Sequence, residues 1–335
     1  MENFRRPSNS QFMTFLLFAM LVGTAEAFTA NDPALLQKLL DENRSAREIV
    51  KAYSATYSWK VASPPEMAIP FLHVPAHGEN DTALINITAS GSYRTGTVTR
   101  PSRLSDSRGT GHEADSMEVL LNDAYLGICQ FSPSGRPKCE QFDVSSAQHL
   151  PAGIRERVPE AFWLDLTRYG FGAGDESLQE AVLAHPEVIR WSVARDATPE
   201  HPGRYTIQRL IPGTGSTIQS RTEYCLDADK GFMITRVRDY DLNGKPWFCL
   251  DVTPREVQPG LWFPEKIVEL RAGFRTEITV HSTALNPPIA STQFEWGSIS
   301  ADLSDVVCIR TRLNGDTRRC IFANGKFIEP TLAVN

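Results

Sequence analysis

Between Val188 and Leu285, seven strand-period segments follow one another with only short connections between them: VIRWSVAR, RYTIQRLI, TIQSRTEYCL, FMITRVRDY, PWFCLDVTPREV, LWFPEKIVEL and RTEITVHSTAL. Apolar and polar residues alternate along them, with β-branched and aromatic residues frequent, which is the pattern of half-buried strands. Connections this short leave no room for a crossover helix, so neighbouring strands run antiparallel. Two turns are specific. DADKG, residues 227–231, and DLNGK, residues 241–245, put glycine where a tight turn takes a left-handed residue. The chain is committed to a long meander.

The same period governs TYSWKVA, ALINITASGSYRTGTVTR, MEVLLNDAYLGICQF and CEQFDV upstream, and TQFEW, VVCIRTR and TRRCIF downstream. Helical spacing is confined to two places. Asp32-Pro33 opens ALLQKLLDENR with proline at the first helical position. Ser45-Ala46-Arg47-Glu48 has the capping-box pattern, which predicts a second helix through IVKAYSAT. Leu35, Leu36, Leu39 and Leu40 form one apolar stripe, and Ile49, Val50 and Tyr53 another. In the middle of the chain PEAFWLDLTRYG is predicted as a helix ending at Gly170, and LQEAVLAH as another stopping at Pro186. The expected class is α+β: an antiparallel sheet with packed amphipathic helices. Residues 28–335 read as a single domain, with insertions near 63–82, where four prolines fall, and 100–115.

The amino terminus predicts export. Arg5 and Arg6 precede the apolar run QFMTFLLFAMLVG, and Ala25-Glu26-Ala27 supplies a small-x-small cleavage pattern. Residues 1–27 therefore read as a signal peptide, cleaved near Ala27, with a retained anchor as the alternative. The run is too short to favour a spanning helix, and no other apolar stretch approaches 18 residues. The expected product is a soluble periplasmic or extracellular protein with no transmembrane segment in the mature chain. With 41% hydrophobic residues among 335, it can build a core without a metal or disulfide framework. A formal charge of −6 argues against a nucleic-acid surface.

Export gives six cysteines a chance to bond. Cys129 and Cys139 flank QFSPSGRPK, and Cys308 and Cys320 flank IRTRLNGDTRR. With three-residue loops ending on Gly135 and Gly315, each pair stands directly opposed on a hairpin, within disulfide reach. Two bridges are expected, Cys129–Cys139 and Cys308–Cys320. Cys225 and Cys249 are placed beside Met233 and Val237, an intervening strand apart, and are expected as core thiols. Zinc-type CxxC spacing is absent.

Catalytic signatures are absent too. There is no HExxH, P-loop, dinucleotide fingerprint or GxSxG, and no cofactor is expected. His73 and His77 are four apart, but Pro75 disfavours the helix that would align them. His112 lies in a polar loop, and His281 in the strand TEITVHST. The tryptophans Trp59, Trp163, Trp191, Trp247, Trp262 and Trp296 are expected mainly in the core, with a subset available to line an apolar pocket.

The stretches YCLDADKGFMITRVRDYDLNGKPW, VQPGLWFPEKIVEL and FEWGSISADLSDVV, in that order after amphipathic helices, resemble periplasmic proteins of the LolA/LolB/RseB-like superfamily, the outer-membrane lipoprotein-sorting fold. The likeness is firmest over residues 220–310 and includes Gly260-Leu261-Trp262-Phe263-Pro264. It implies a strongly curved antiparallel sheet, an unclosed barrel, with helices on its concave face. It further implies a non-enzymatic envelope protein that binds a lipid or lipidated, apolar ligand between sheet and helices. The alternative is a sensor or interaction module that contacts another envelope protein. An exported hydrolase using His73, His77 or His112 is the third reading.

Overall fold

The computed structural model describes residues 32–62, 81–100, 115–131, 137–148, 150, 152–173, 176–183, 189–196, 198, 201–212, 218–271, 273–299, 302–304 and 306–330. The signal segment and both insertions, with His73, His77 and His112, fall outside or almost wholly outside the described residues.

Helix α1 (Pro33–Ile49) is followed by six strands, β1 (Ala52–Ala62), β2 (Asp81–Ser90), β3 (Tyr93–Arg100), β4 (Asp115–Leu121), β5 (Tyr125–Phe131) and β6 (Lys138–Asp143). A helical stretch follows: α2 (Ala152–Arg155), α3 (Glu160–Trp163), α4 (Leu166–Phe171) and, after the small hairpin β7 (Gly172–Ala173) and β8 (Glu176–Ser177), α5 (Leu178–Leu183). The predicted meander then runs as β9 (Arg190–Arg195), β10 (Arg204–Pro212), β11 (Ile218–Asp227), β12 (Met233–Tyr240), β13 (Pro246–Gln258), β14 (Leu261–Arg271) and β15 (Phe274–Leu285). The chain ends with β16 (Val307–Thr311), β17 (Thr317–Ala323) and β18 (Lys326–Ile328).

Sixteen strands form one sheet in the order β18-β17-β16-β6-β5-β4-β3-β2-β1-β15-β14-β13-β12-β11-β10-β9. The ends β18 and β9 do not pair with each other, so the sheet is an unclosed half-barrel, as expected. Its neighbours are antiparallel except at β6–β16, where the carboxy-terminal hairpin joins in parallel. That joint requires a long crossover. Between β15 and β16 the described residues 286–299 and 302–304 belong to this crossover, with Trp296 and Leu303 laid on one face of the sheet.

The two faces therefore have separate cores. On β1, Tyr53, Ala55, Tyr57 and Trp59 point inward, all 6% exposed or less. They meet Phe162 and Leu166 from the helical layer and Phe263, Ile267 and Ile278 from the second meander in the main cluster. Each large side chain so enclosed contributes roughly 1.5–3 kcal/mol of hydrophobic free energy. On the opposite, outer face, Leu120, Cys129 and Cys139 form a smaller cluster with Trp296, Leu303 and Phe327.

Several local expectations need correction. Residues 33–49 make one helix, not two, and Ser45 lies inside it. Continuing the helix keeps Leu39, Leu40 and Asn43 buried together, and the alternation from Tyr53 starts a strand at Ala52 instead of prolonging a helix. PEAFWLDLTRYG is broken at Leu164, whose backbone is extended, because the Asp165 carboxylate accepts the Thr167 amide at 3.1 Å and starts α4 afresh. TQFEW is two short 3₁₀ turns, Ser291–Phe294 and Trp296–Ser298, not a strand. They lay Phe294 and Trp296 onto the sheet.

The DADKG connection is a 3₁₀ turn, Ala228–Lys230, closed by two left-handed residues, Gly231 (φ 64°) and Phe232 (φ 57°). With the irregularity between Cys225 and Leu226, this moves Cys225 opposite Arg236 and not Met233. Cys249 pairs with Arg238 rather than Val237. Met233 and Ile234 are both buried, so strict alternation fails there. The strained Phe232 is held by α1, where the Asn43 Nδ2 donates to its carbonyl at 2.8 Å.

Candidate functional site

The inner face is part core and part cavity. Helix α3 packs over β1 and β2 and helix α4 over β12 to β14, and the Tyr57 hydroxyl donates to the Ala161 carbonyl at 2.6 Å. Beside that plug lies a cavity of about 2110 Å³, bounded by α1, the helical stretch and the inward face of β1 to β4 and β11 to β14. Its apolar surface includes Leu121, Trp163, Tyr224, Phe248 and Leu250. Charged groups line it as well, among them Arg44, Arg94, Arg155 and Arg168 opposite Glu160 and Asp239. The wall suits an amphiphile better than a purely apolar chain.

Arg94 is positioned from two sides. It shares the inward register of buried Val98 on β3, and its Nη1 donates to the Leu164 carbonyl at 3.0 Å, at the break between α3 and α4. The Tyr53 hydroxyl donates to the same carbonyl at 3.5 Å and accepts from the Leu166 amide at 3.4 Å. Burial pushes the Tyr53 hydroxyl above the ordinary phenol range, and the neighbouring Arg94 guanidinium partly offsets this. A neutral phenol and a cation therefore sit together at the cavity wall.

Three other cavity cations have partners. Arg44 bonds Asp41 at 3.0 Å, Arg168 lies 3.4 Å from Asp165, and Arg155 sits 5.8 Å over the Trp163 ring. Arg94 makes no ion pair among the described residues; its guanidinium is shared between the Leu164 carbonyl and the Tyr53 hydroxyl and lines the cavity.

Of the residues singled out in the sequence, Cys129 and Cys139 are bonded across β5 and β6. Cys308 and Cys320 stand opposite each other on β16 and β17 in the register expected, as thiols. Cys225 and Cys249 are unbonded. His281 is exposed at the irregularity between β1 and β15. Trp163 and Trp247 line the cavity, while Trp59 and Trp296 are core. No cluster of metal-ligating side chains occurs among the described residues, and no described helix is long and apolar enough to cross a membrane. The sequence reading named no ligand-binding residue. The signal that was there is Arg94, a charge on the inward register of a strand.

No protein-family model matches the chain, and no curated protein does. Solved structures give low-level likenesses. A putative outer membrane lipoprotein-sorting protein domain from Vibrio parahaemolyticus is 10% identical, with 77% of this chain and 94% of that chain covered and a TM-score of 0.37. A DUF1329 family protein from Desulfovibrio piger is 12% identical, with 79% and 98% covered and a TM-score of 0.38. A LolA superfamily protein from Nitrosomonas europaea is 13% identical, with 78% and 98% covered and a TM-score of 0.35. At these scores the likenesses carry no argument about ligand or activity, which rest on the geometry of the cavity.

Proposed function

We propose that this chain is a non-enzymatic exported protein that binds an amphiphile, a lipid or the lipidated end of another molecule, between its sheet and its helical layer. The cavity carries this reading. At about 2110 Å³ it exceeds the roughly 300–1,000 Å³ of ordinary small-molecule sites, and it couples aromatic and aliphatic walls to fixed charges. Binding there needs no reacting group, and a half-open cleft of this size is compatible with a carrier or receptor role. The resemblance of residues 220–310 points to the same ligand class.

The test is direct. Delipidated protein is incubated with a cell-envelope extract, re-purified and weighed by native mass spectrometry. A lipid or lipoprotein should be retained. Recovery of ligand-free protein alone would sink the proposal.

A further inference from the structure

The outer face of the sheet carries four cysteines in one register line. Cys129 on β5 stands opposite Cys139 on β6. Cys139 stands level with Cys308 across the parallel joint, and Cys308 stands opposite Cys320 on β17. Residues paired in this way project to the same side of a sheet, so four sulfurs lie side by side on four neighbouring strands. All four belong to the small outer cluster, under Trp296 and Phe327, and none is more than 2% exposed. A single bond, Cys129–Cys139, occupies the line.

Neighbouring strands place such residues about 4.5–5.5 Å apart, inside the Cα separation that a disulfide spans. Cys139 therefore has two bonding neighbours, Cys129 and Cys308. Cys308 likewise has two, Cys139 and Cys320. From this degeneracy we propose that Cys139–Cys308 is a second disulfide position of the protein, reached by exchange along the cysteine line.

The step balances without an external oxidant. Cys308 gives up its thiol proton, and its sulfur forms a bond to the sulfur of Cys139. The Cys129–Cys139 bond breaks, its electron pair leaves on Cys129, and Cys129 takes up a proton. One disulfide and two thiols stand on each side. A repeat of the step by Cys320 carries the bond on to Cys308–Cys320.

Position decides what the bond holds. At Cys129–Cys139 it clips one hairpin, and the carboxy-terminal strands stay on the sheet through backbone hydrogen bonds and the two-pronged ion pair of Arg310 with Asp143, 2.9 Å at each prong. At Cys139–Cys308 it crosses the parallel joint and encloses the whole chain between β6 and β16. That is a far longer loop, which restricts the unfolded chain more. The cover of Trp296 keeps external thiols away, so exchange stays within the line. Burial also raises the Cys308 thiol above its ordinary range, which keeps it protonated and the exchange slow in the closed fold.

Trypsin separates all four cysteines, cutting at Lys138 and at Arg310. Full-length protein bearing only Cys129–Cys139 is incubated without oxidant, quenched in acid, alkylated, and digested unreduced for mass spectrometry. Peptides joined through Cys139 and Cys308 should accumulate while the total of free thiols stays constant. The doubly substituted protein Cys129→Ser/Cys320→Ser, unfolded, reduced and refolded in a glutathione redox buffer so that the thiols meet the oxidant before the Trp296 cover closes, should fold into the Cys139–Cys308 form. Its melting temperature should then fall on reduction. The proposal is overturned if the wild-type chain never yields the Cys139–Cys308 peptide, or if the folded double variant keeps both thiols open to alkylation after oxidation.

Discussion

Asn286 ends helix α1 from 237 residues away: its Nδ2 donates to the Ile49 carbonyl at 2.7 Å. The same side chain accepts the amides of Lys51 and Ala52 at 2.9 and 3.2 Å, and its own amide donates to the Ala52 carbonyl. It does so from the left-handed region, φ 47°, which asparagine tolerates better than most residues. One side chain thus joins the helix end, the start of β1 and the end of β15, and sets how α1 lies over the cavity.

Replacing Asn286 with alanine removes both side-chain acceptor bonds and the donor bond, and leaves a residue less suited to positive φ. At about 1 kcal/mol for each net hydrogen bond, a loss of about 2–3 kcal/mol is expected. Asn286→Asp keeps the acceptor bonds but replaces the donor to Ile49 with a carboxylate oxygen facing that carbonyl, so it should cost about 1–2 kcal/mol. Urea denaturation of the two variants checks the order. Equal effects would show that the hydrogen bonds to Lys51 and Ala52 contribute nothing.

Much of the sheet was legible because its signals are local. The alternation of Tyr53, Ala55, Tyr57 and Trp59 and the turn at Asp241–Lys245 need only a few neighbours to act. The sites where reading failed are those that distant residues decide. Ser45-Ala46-Arg47-Glu48 has a capping pattern, yet Asn286 and the burial of Asn43 carry the helix through it. The DADKG turn looks like a plain hairpin, but the Asn43 bond to Phe232 sustains two left-handed residues and shifts the register of Cys225. Phe294 and Trp296 sit in an alternating stretch that became turns because the crossover must lay them on the outer face. The cavity was invisible for the same reason. Arg94, Leu164 and Tyr53 are brought together by strand pairing and helix docking, which no local pattern encodes.

Arg94 predicts a preference among amphiphiles. A charge-assisted hydrogen bond is worth roughly 1.5–3 kcal/mol, so an acidic head group at the guanidinium should bind about 10–100-fold more tightly than a neutral one. Long-chain fatty acid and the matching fatty alcohol provide the comparison by isothermal titration. Arg94→Gln should remove the preference and leave alcohol binding unchanged. Retention of the full preference in that variant would show that Arg94 serves only to hold Leu164.

Gly127 has no room for a side chain. A Cβ there would stand 2.6 Å from the Trp296 ring, and that ring is fixed by an indole N–H donated to Gln141 at 2.9 Å and by edge contact with Phe327. Gly127→Ala should therefore displace Trp296 and cost about 1–3 kcal/mol by overpacking. A red-shifted tryptophan emission with a lowered melting temperature is the expected pair of observations. Unaltered emission would mean that the strand, not the indole, gives way.

Burial raises the thiols of Cys308 and Cys320, and this ties stability to alkaline pH. In the unfolded chain these thiols ionise from about pH 8.5 upward, while the fold keeps them protonated. A raised folded pKa means that the contribution is fully present below the unfolded value and is lost as pH rises toward the folded one. Stability should be nearly flat from pH 6 to about pH 8 and decline above about pH 8.5, with a shallower decline in Cys308→Ser/Cys320→Ser. The same burial predicts that Ellman's reagent at pH 8 reaches half-buried Cys249 first in the native protein, and Cys225, Cys308 and Cys320 only on unfolding. Rapid reaction of all four native thiols would show that the outer cluster opens easily, and the alkaline decline would then need another cause.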